Sequence, residues 1–501
     1  MHVLRSPSSA PARRPEVARA ELLLISAGLA ALLLVLAGTR QWYGDELYLL
    51  VAGHHLSWGY ADQPVLLPLL ARAGEAVSGG ARIGVRTPAV LAALAGVWIT
   101  GLLAREFGGG RGAQALAALT YAISPQTLNS GSLLVTQSID LPAWAVTTWL
   151  VVRWVRLRDG LSPLLVGITG AVAVQAKYLI PVLWAGCFLA ALVLGPREVF
   201  RRPALWAGAG IALLAMLPYV LWQARHDWPQ LRLADAVGEE TAATASGPLA
   251  FVPLTLLVAG VFAGAVLCAY GLWRLLRSPA LAEYRFLGWA SLAVVVVFLL
   301  AGGRYYYSAG LFPLCFAAGA VELLRRTSAS WWRAAVIGVA WAASAVLSVL
   351  VIVVPSLLPG TGVVTAPTLS GSAGWPELTA AVARAYERAP ARAVLVTGHY
   401  WQASALDRYG RRYGLPRAYS PHRGYWFFGV PPDAGAALFV GPDPGGLRAN
   451  FRSARVVATF PGGSGYAGGL GYQGINHQVP IWLCEGRIAP WRQVWPALYR
   501  P

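Results

Sequence analysis

A chain of 501 residues with 56% apolar and only 12% charged side chains is not an ordinary soluble enzyme. Forty Lys and Arg against twenty-two Asp and Glu give a formal charge of +18. The basic residues gather in short stretches between apolar runs, which argues for the sidedness of a membrane protein and against nucleic-acid binding.

Taken in chain order, a basic, Pro-rich leader (Arg5–Arg19) precedes the apolar run 21–39, read as an uncleaved anchor with a cytoplasmic N-terminus. Further runs at 88–104, 112–128, 140–155, 161–176, 179–195, 204–222, 249–271, 286–302, 308–323 and 334–355 predict about eleven transmembrane helices. Arginine clusters at 105–111, 153–158, 197–202, 274–285 and 325–333 all fall on the side of the leader if the count is odd, and that side is the cytoplasm. Residues 1–355 then form the membrane domain. Its first outer loop, about 40–87, carries an apolar stretch, Val65–Ala76, that is too short to span and reads as an interfacial helix. From 356 to 501 helix and strand signals alternate in a polar chain, predicting a small extracytoplasmic α/β domain with strands at 393–397 and 437–440. The aromatic run Tyr425-Trp426-Phe427-Phe428 reads as a buried strand or as a sugar-stacking surface. Cys187, Cys268 and Cys315 lie in apolar runs and Cys484 stands alone, so neither a disulfide framework nor a zinc site is indicated.

Polar groups at membrane boundaries are the candidates for chemistry. Asp45 and Glu46 follow the first span. Carboxylates there are costly unless they face water, a cation or a reacting group, although an acidic pair also suits a helix N-terminus. Asp62 and Gln63 close a Trp58-Gly59-Tyr60 segment within the same loop, and Asp140 opens the fourth span, where helix capping is the plainer role. Lys177, followed by Tyr178, either snorkels to headgroups or binds an anion. Arg304 with Tyr305 and Tyr306 offers a planar fork and hydroxyls to phosphate oxygens. His226 opens the loop 224–248 as a possible ligand or a solvated ring. Two acids and separate cations on one face suit transfer from a lipid-linked phosphate, and equally a proton-coupled anion carrier; the absence of an internal repeat weighs against the carrier. A non-catalytic glycan-binding scaffold would need none of these charges.

The sequence Gly44-Asp45-Glu46-Leu47-Tyr48, with His55 through Pro64, resembles the first loop of polyprenol-dependent GT-C glycosyltransferases of family 39, specifically bacterial relatives of protein O-mannosyltransferases and of the lipid A aminoarabinose transferase. The likeness continues through Arg86-Thr87-Pro88, Leu103 to Gly109, Gln175-Ala176-Lys177-Tyr178, Pro218 to Pro229 and Gly303-Arg304-Tyr305-Tyr306. In the C-terminal region it includes Gly374-Trp375-Pro376, Tyr400, Ala405 to Tyr409 and Val479 to Cys484. Departures fall at 419–423, at 476–478, and at Gln175 where the family has Asn.

The resemblance implies a GT-C membrane bundle at the cytoplasmic membrane and an inverting transfer from a polyprenyl-phosphate sugar to a lipid, polysaccharide or protein hydroxyl. Asp45 would be the base and Glu46 would orient acceptor or sugar. Lys177, Arg304, Tyr305, Tyr306 and Arg86 would hold the phosphate, with Asp62, Gln63, Asp140, Tyr178 and His226 lining the cavity. No cofactor is expected, since Lys and Arg can neutralise the phosphate; a divalent cation shared by Glu46 and Asp140 is the alternative.

Overall fold

Every predicted apolar run becomes helix in the computed structural model, which describes residues 14–243, 248–327, 331–354, 371–462 and 475–501. The leader residues before Arg14 and the expected domain boundary at 355–356 lie outside the described residues. The helices are α1 Arg19–Thr39, α2 Gly44–His54, α3 Leu66–Ser78, α4 Arg82–Glu106, α5 Arg111–Ile123, α6 Pro125–Gly131, α7 Thr136–Leu157 and α8 Leu161–Ala173. They continue as α9 Ile180–Leu194, α10 Pro203–Arg225, α11 Pro229–Ala243, α12 Pro248–Ala259, α13 Ala263–Arg277, α14 Arg285–Leu300, α15 Phe312–Thr327 and α16 Trp331–Ser348.

By length and composition, six helical stretches among the described residues can cross a bilayer, and a seventh if α12 and α13 count as one span bent by 109°. This is fewer than the eleven the hydropathy suggested. The run 112–128 is cut at Ser124-Pro125, where Ser124 caps the short α6. The run 249–271 breaks at Gly260, and α8 and α9 stop at 13 and 15 residues. Glycine sets the closest packing: a Cβ on Gly271 of α13 would run into the carbonyl of Cys315 on α15, so the two backbones touch as small residues allow in membranes.

Arginines and their acids close one end of the bundle. Glu106 pairs with Arg14 and Arg156, and Glu322 with Arg274 and Arg325. The opposite end, reached by the C-terminus of α1, carries α2 and α3 of the first loop.

The C-terminal region folds as expected into α/β structure. Two helices, α17 Trp375–Tyr386 and α18 Tyr400–Tyr409, accompany strands β1 Val394–Thr397, β2 Ala418–Tyr419, β3 Ala436–Val440, β4 Phe451–Phe460 and β5 Val479–Arg487. The sheet order is β2-β1-β3-β5-β4, parallel from β2 through β3 and antiparallel beyond. The 425–428 run is not a strand. It belongs to a 3-10 helix, Arg423–Phe428, whose Phe428 stacks on His55 at 4.7 Å and whose Phe427 meets Trp222 at 5.4 Å. One hydrophobic core crosses between the regions, joining Trp42, Leu47, Tyr48 and Val85 to Trp375, Leu378, Tyr400 and Leu438. Arg408 of α18 adds a hydrogen bond to the Gly80 carbonyl at 2.9 Å.

Candidate active site

The acidic pair divides at once into two environments. Glu46 is fully buried and bonds Arg86 bidentately, Oε1 to Nε at 2.8 Å and Oε2 to Nη2 at 2.7 Å. The same carboxylate accepts the backbone N–H of Tyr43 and of Leu134, fixing the start of α2. Arg86 donates its remaining N–H groups to the carbonyls of Ala37, Arg40 and Gln41, so all five donors are satisfied. Neither residue has a group left for a substrate. Expected to orient the acceptor and to bind phosphate, the two are instead engaged in fastening α1, α2 and α4.

Asp45 is partly open. Its Oδ1 accepts Tyr400 O–H and Trp401 Nε1–H, each at 2.8 Å. Its Oδ2 takes no hydrogen bond among the described residues. Gly44 is what lets the indole in, since a Cβ there would fall inside the Trp401 ring. A turn later Tyr48 donates to Asp62 Oδ1 at 2.9 Å. Burial pushes the Asp62 carboxyl up to about 6, with Tyr48 and Arg423 opposing the shift. Gln63 beside it is buried, with Nε2 unpartnered.

The cations come from two turns. Lys177 follows α8, its Nζ 4.3 Å from the ring centre of Tyr307 and 5.7 Å from that of Tyr306. Its backbone N–H bonds the Ala173 carbonyl at 3.0 Å, but its Nζ makes no hydrogen bond or ion pair among the described residues. Burial depresses its pKa, and the Tyr306 phenol and the Asp140 carboxylate pull it back. Asp140 does not cap its helix: α7 begins at Thr136, and the Ser138 hydroxyl serves the first turn through Val135 N–H. Only 1% exposed, Asp140 accepts Trp144 Nε1–H on Oδ1, while Oδ2 is buried without a partner. Arg304 precedes the 3-10 helix Tyr305–Leu311 that leads into α15, and its Nη2 donates to Glu240 Oε2 at 2.9 Å. Tyr305 receives the Thr255 hydroxyl on its carbonyl oxygen, and the rings of Tyr305, Tyr306 and Tyr307 meet edge to face at 5.3 Å.

Tyr178 stacks on Tyr219 at 4.1 Å, and both hydroxyls are buried. His226 lies flat on Trp222 at 4.1 Å, its Nδ1 2.7 Å from that residue's carbonyl oxygen, so it belongs to the aromatic seam with Phe427.

Asp45, Asp62, Asp140, Lys177, Arg304 and the tyrosines are thus gathered at the bundle end away from the arginine clusters. Sequence reasoning missed Tyr48, Glu240, Tyr400, Trp401 and Arg423 as members. Tyr400 stood in a stretch resembling the family, but its contact with Asp45 spans 355 positions and leaves no local pattern. Among the described residues no group of three or more His, Cys, Asp or Glu is placed to hold a metal ion. The divalent cation considered between Glu46 and Asp140 does not fit, because Arg86 and backbone N–H groups occupy both Glu46 oxygens.

The architecture is similar to that of ArnT from Cupriavidus metallidurans. The apo structure matches with a TM-score of 0.61 at 15% identity, over 97% of this chain and 100% of that one. The form bound to undecaprenyl phosphate matches at 0.60 and 15%, over 96% and 99%. The arabinofuranosyltransferase AftD from Mycobacteria matches at 0.52 and 16% identity, over 94% of this chain and 42% of that one. At these identities the likeness establishes the GT-C fold of a multi-pass membrane protein. Residues 62–222 match the family model of dolichyl-phosphate-mannose-protein mannosyltransferase, and fold and family match together define a membrane glycosyltransferase. No curated protein sequence matches the chain significantly.

Proposed function

We propose that the protein transfers a sugar from a polyprenyl-phosphate donor to an acceptor hydroxyl, with inversion, at the outer face of the cytoplasmic membrane. The observation that carries this reading is Asp45: one oxygen is fixed by Tyr400 and Trp401, the other is open, and cations stand nearby. Support for the donor comes from the relatives, one bound to undecaprenyl phosphate and one family described by dolichyl phosphate mannose. Support for the sidedness comes from the arginine clusters at the opposite end of the bundle.

In the mechanism, Asp45 Oδ2 takes the proton of the acceptor hydroxyl as its oxygen attacks the anomeric carbon from the face opposite the phosphate. The anomeric C–O bond breaks, its electron pair stays on the polyprenyl phosphate, and Lys177, Arg304 and the tyrosine hydroxyls stabilise the growing charge. One displacement with one base needs no covalent sugar–enzyme intermediate. Asp62, Gln63, Tyr178 and Asp140 supply donors and acceptors for ring hydroxyls. Glu46 and Arg86 serve this site by fixing α2, and His226 by closing the seam beneath the C-terminal region. The acceptor is a lipid, polysaccharide or protein hydroxyl.

The test is the product's anomeric configuration. Reconstituted protein given radiolabelled and unlabelled polyprenyl-phosphate sugars of defined anomer, with membrane extract as acceptor source, should yield a glycoside of the opposite anomer by NMR. Retention would exclude the single displacement, and failure of every donor would exclude the donor class.

A further inference from the structure

Resting on the phosphate reading above, we propose that Arg423 of the C-terminal region is a ligand of the donor phosphate, and that Glu240 of α11 holds that phosphate's seat until the donor displaces it.

Glu240 is the only carboxylate among the described residues that bridges two of the site's cations. Its Oε2 accepts Arg304 Nη2–H at 2.9 Å and its Oε1 accepts Arg423 Nη2–H at 2.7 Å. A phosphate monoester presents two oxygens to the same two guanidinium groups in the same way, with more charge. The two ends of this bridge are held very differently. The Arg423 side chain is 14% exposed, donates Nη1–H to the Tyr400 hydroxyl at 3.2 Å, and keeps Nε buried without a partner. The Glu240 side chain is 43% exposed and sits on a surface helix. Glu240 can therefore return to water at small cost, whereas Arg423 cannot be left without an anion.

The backbone tells the same story. Arg423 has a φ of 51°, a left-handed conformation unfavourable for a side chain of its size. It is held there by its own N–H bonded to Arg500 O at 2.7 Å and by Arg500 N–H bonded to Pro421 O at 2.8 Å. That frame aims the guanidinium across the Asp45 cluster toward Arg304. The same residue bonds Tyr400, which bonds Asp45, so a phosphate arriving at Arg423 is linked to the base through one hydroxyl.

Binding of undecaprenyl phosphate to the full-length protein in nanodiscs, at fixed ionic strength, tests this. Glu240→Gln and Arg423→Gln break the same ion pair, so a merely structural pair would shift affinity in one direction for both. Displacement demands opposite signs. Glu240→Gln should tighten binding by about two- to fivefold, the worth of one exposed ion pair. Arg423→Gln should weaken it by about tenfold or more, as loss of a charge-assisted bond implies. Arg423→Lys, which keeps the charge should the Gln variant fail to fold, should weaken it less. If the wild type binds and Arg304→Gln weakens binding, but Glu240→Gln leaves it unchanged or weaker, the inference fails and the phosphate reading stands. Unaltered binding in both Arg423 variants has the same meaning. If well-folded wild type does not bind the lipid phosphate at all, both fall.

Discussion

Adjacent carboxylates in this chain do opposite work because of what each can reach. Glu46 points into the bundle, where five Arg86 donors and two backbone N–H groups complete a closed network. Removing one partner of a buried pair leaves the other charge uncompensated, so Glu46→Gln or Arg86→Met should cost about 3–5 kcal/mol of stability, read as a lowered Tm. Arg86→Lys should not rescue it, since an ammonium cannot reproduce the fork. Asp62 gives a pH signature. Its ordinary value of 3.8 rises to about 6 on folding, so the folded state binds the extra proton between these values. Stability should therefore fall as pH climbs from about 4 to about 6 and stay level above. Asp62→Asn should remove that decline from a series of melts across pH, and an unchanged decline would assign it to another group.

Between elements, the decisive contact is α2 against α18. Gly44 is the hinge of that contact, because the Trp401 indole lies where its Cβ would be. Gly44→Ala should push α18 away and break the Trp401 and Tyr400 bonds to Asp45. Turnover should drop by about tenfold or more while the bundle's melting changes little, since positional errors near 1 Å are costly in catalysis. Wild-type turnover in that variant would show that the indole is dispensable. Much of this scale was legible in the sequence. The helix Leu66–Ser78 and the strands Val394–Thr397 and Ala436–Val440 fall on the apolar stretches read at 65–76, 393–397 and 437–440. The aromatic run at 425–428 misled, because a strand and a 3-10 turn packed on a neighbour bury aromatics equally well. Hydropathy also counts residues without seeing a bend, so it could not register the 109° break between α12 and α13.

Across the whole molecule, the site is built from chain segments that are far apart, and this decides what a sequence can show. Asp45, Lys177 and Arg304 were legible as polar groups at membrane boundaries, helped by the family resemblance. Their partners were not: Tyr400, Trp401, Arg423 and Glu240 are ordinary polar residues until the fold brings them to Asp45 and Arg304. The shared core of Trp42, Leu47 and Trp375 packs the C-terminal region against the loop that carries Asp45. A chain ending at 354 should accordingly lose transfer and become open to proteolysis within 40–65; an active truncated enzyme would limit that region to acceptor delivery. Asp45 as the base is the step on which the proposed transfer depends. Its direct test is consumption of a radiolabelled polyprenyl-phosphate sugar by reconstituted wild type beside Asp45→Asn, with melting temperature as the control for folding. Equal melting and a rate lower by about 10²–10⁴-fold are expected in the variant. Full turnover by Asp45→Asn would contradict this role and place the base elsewhere.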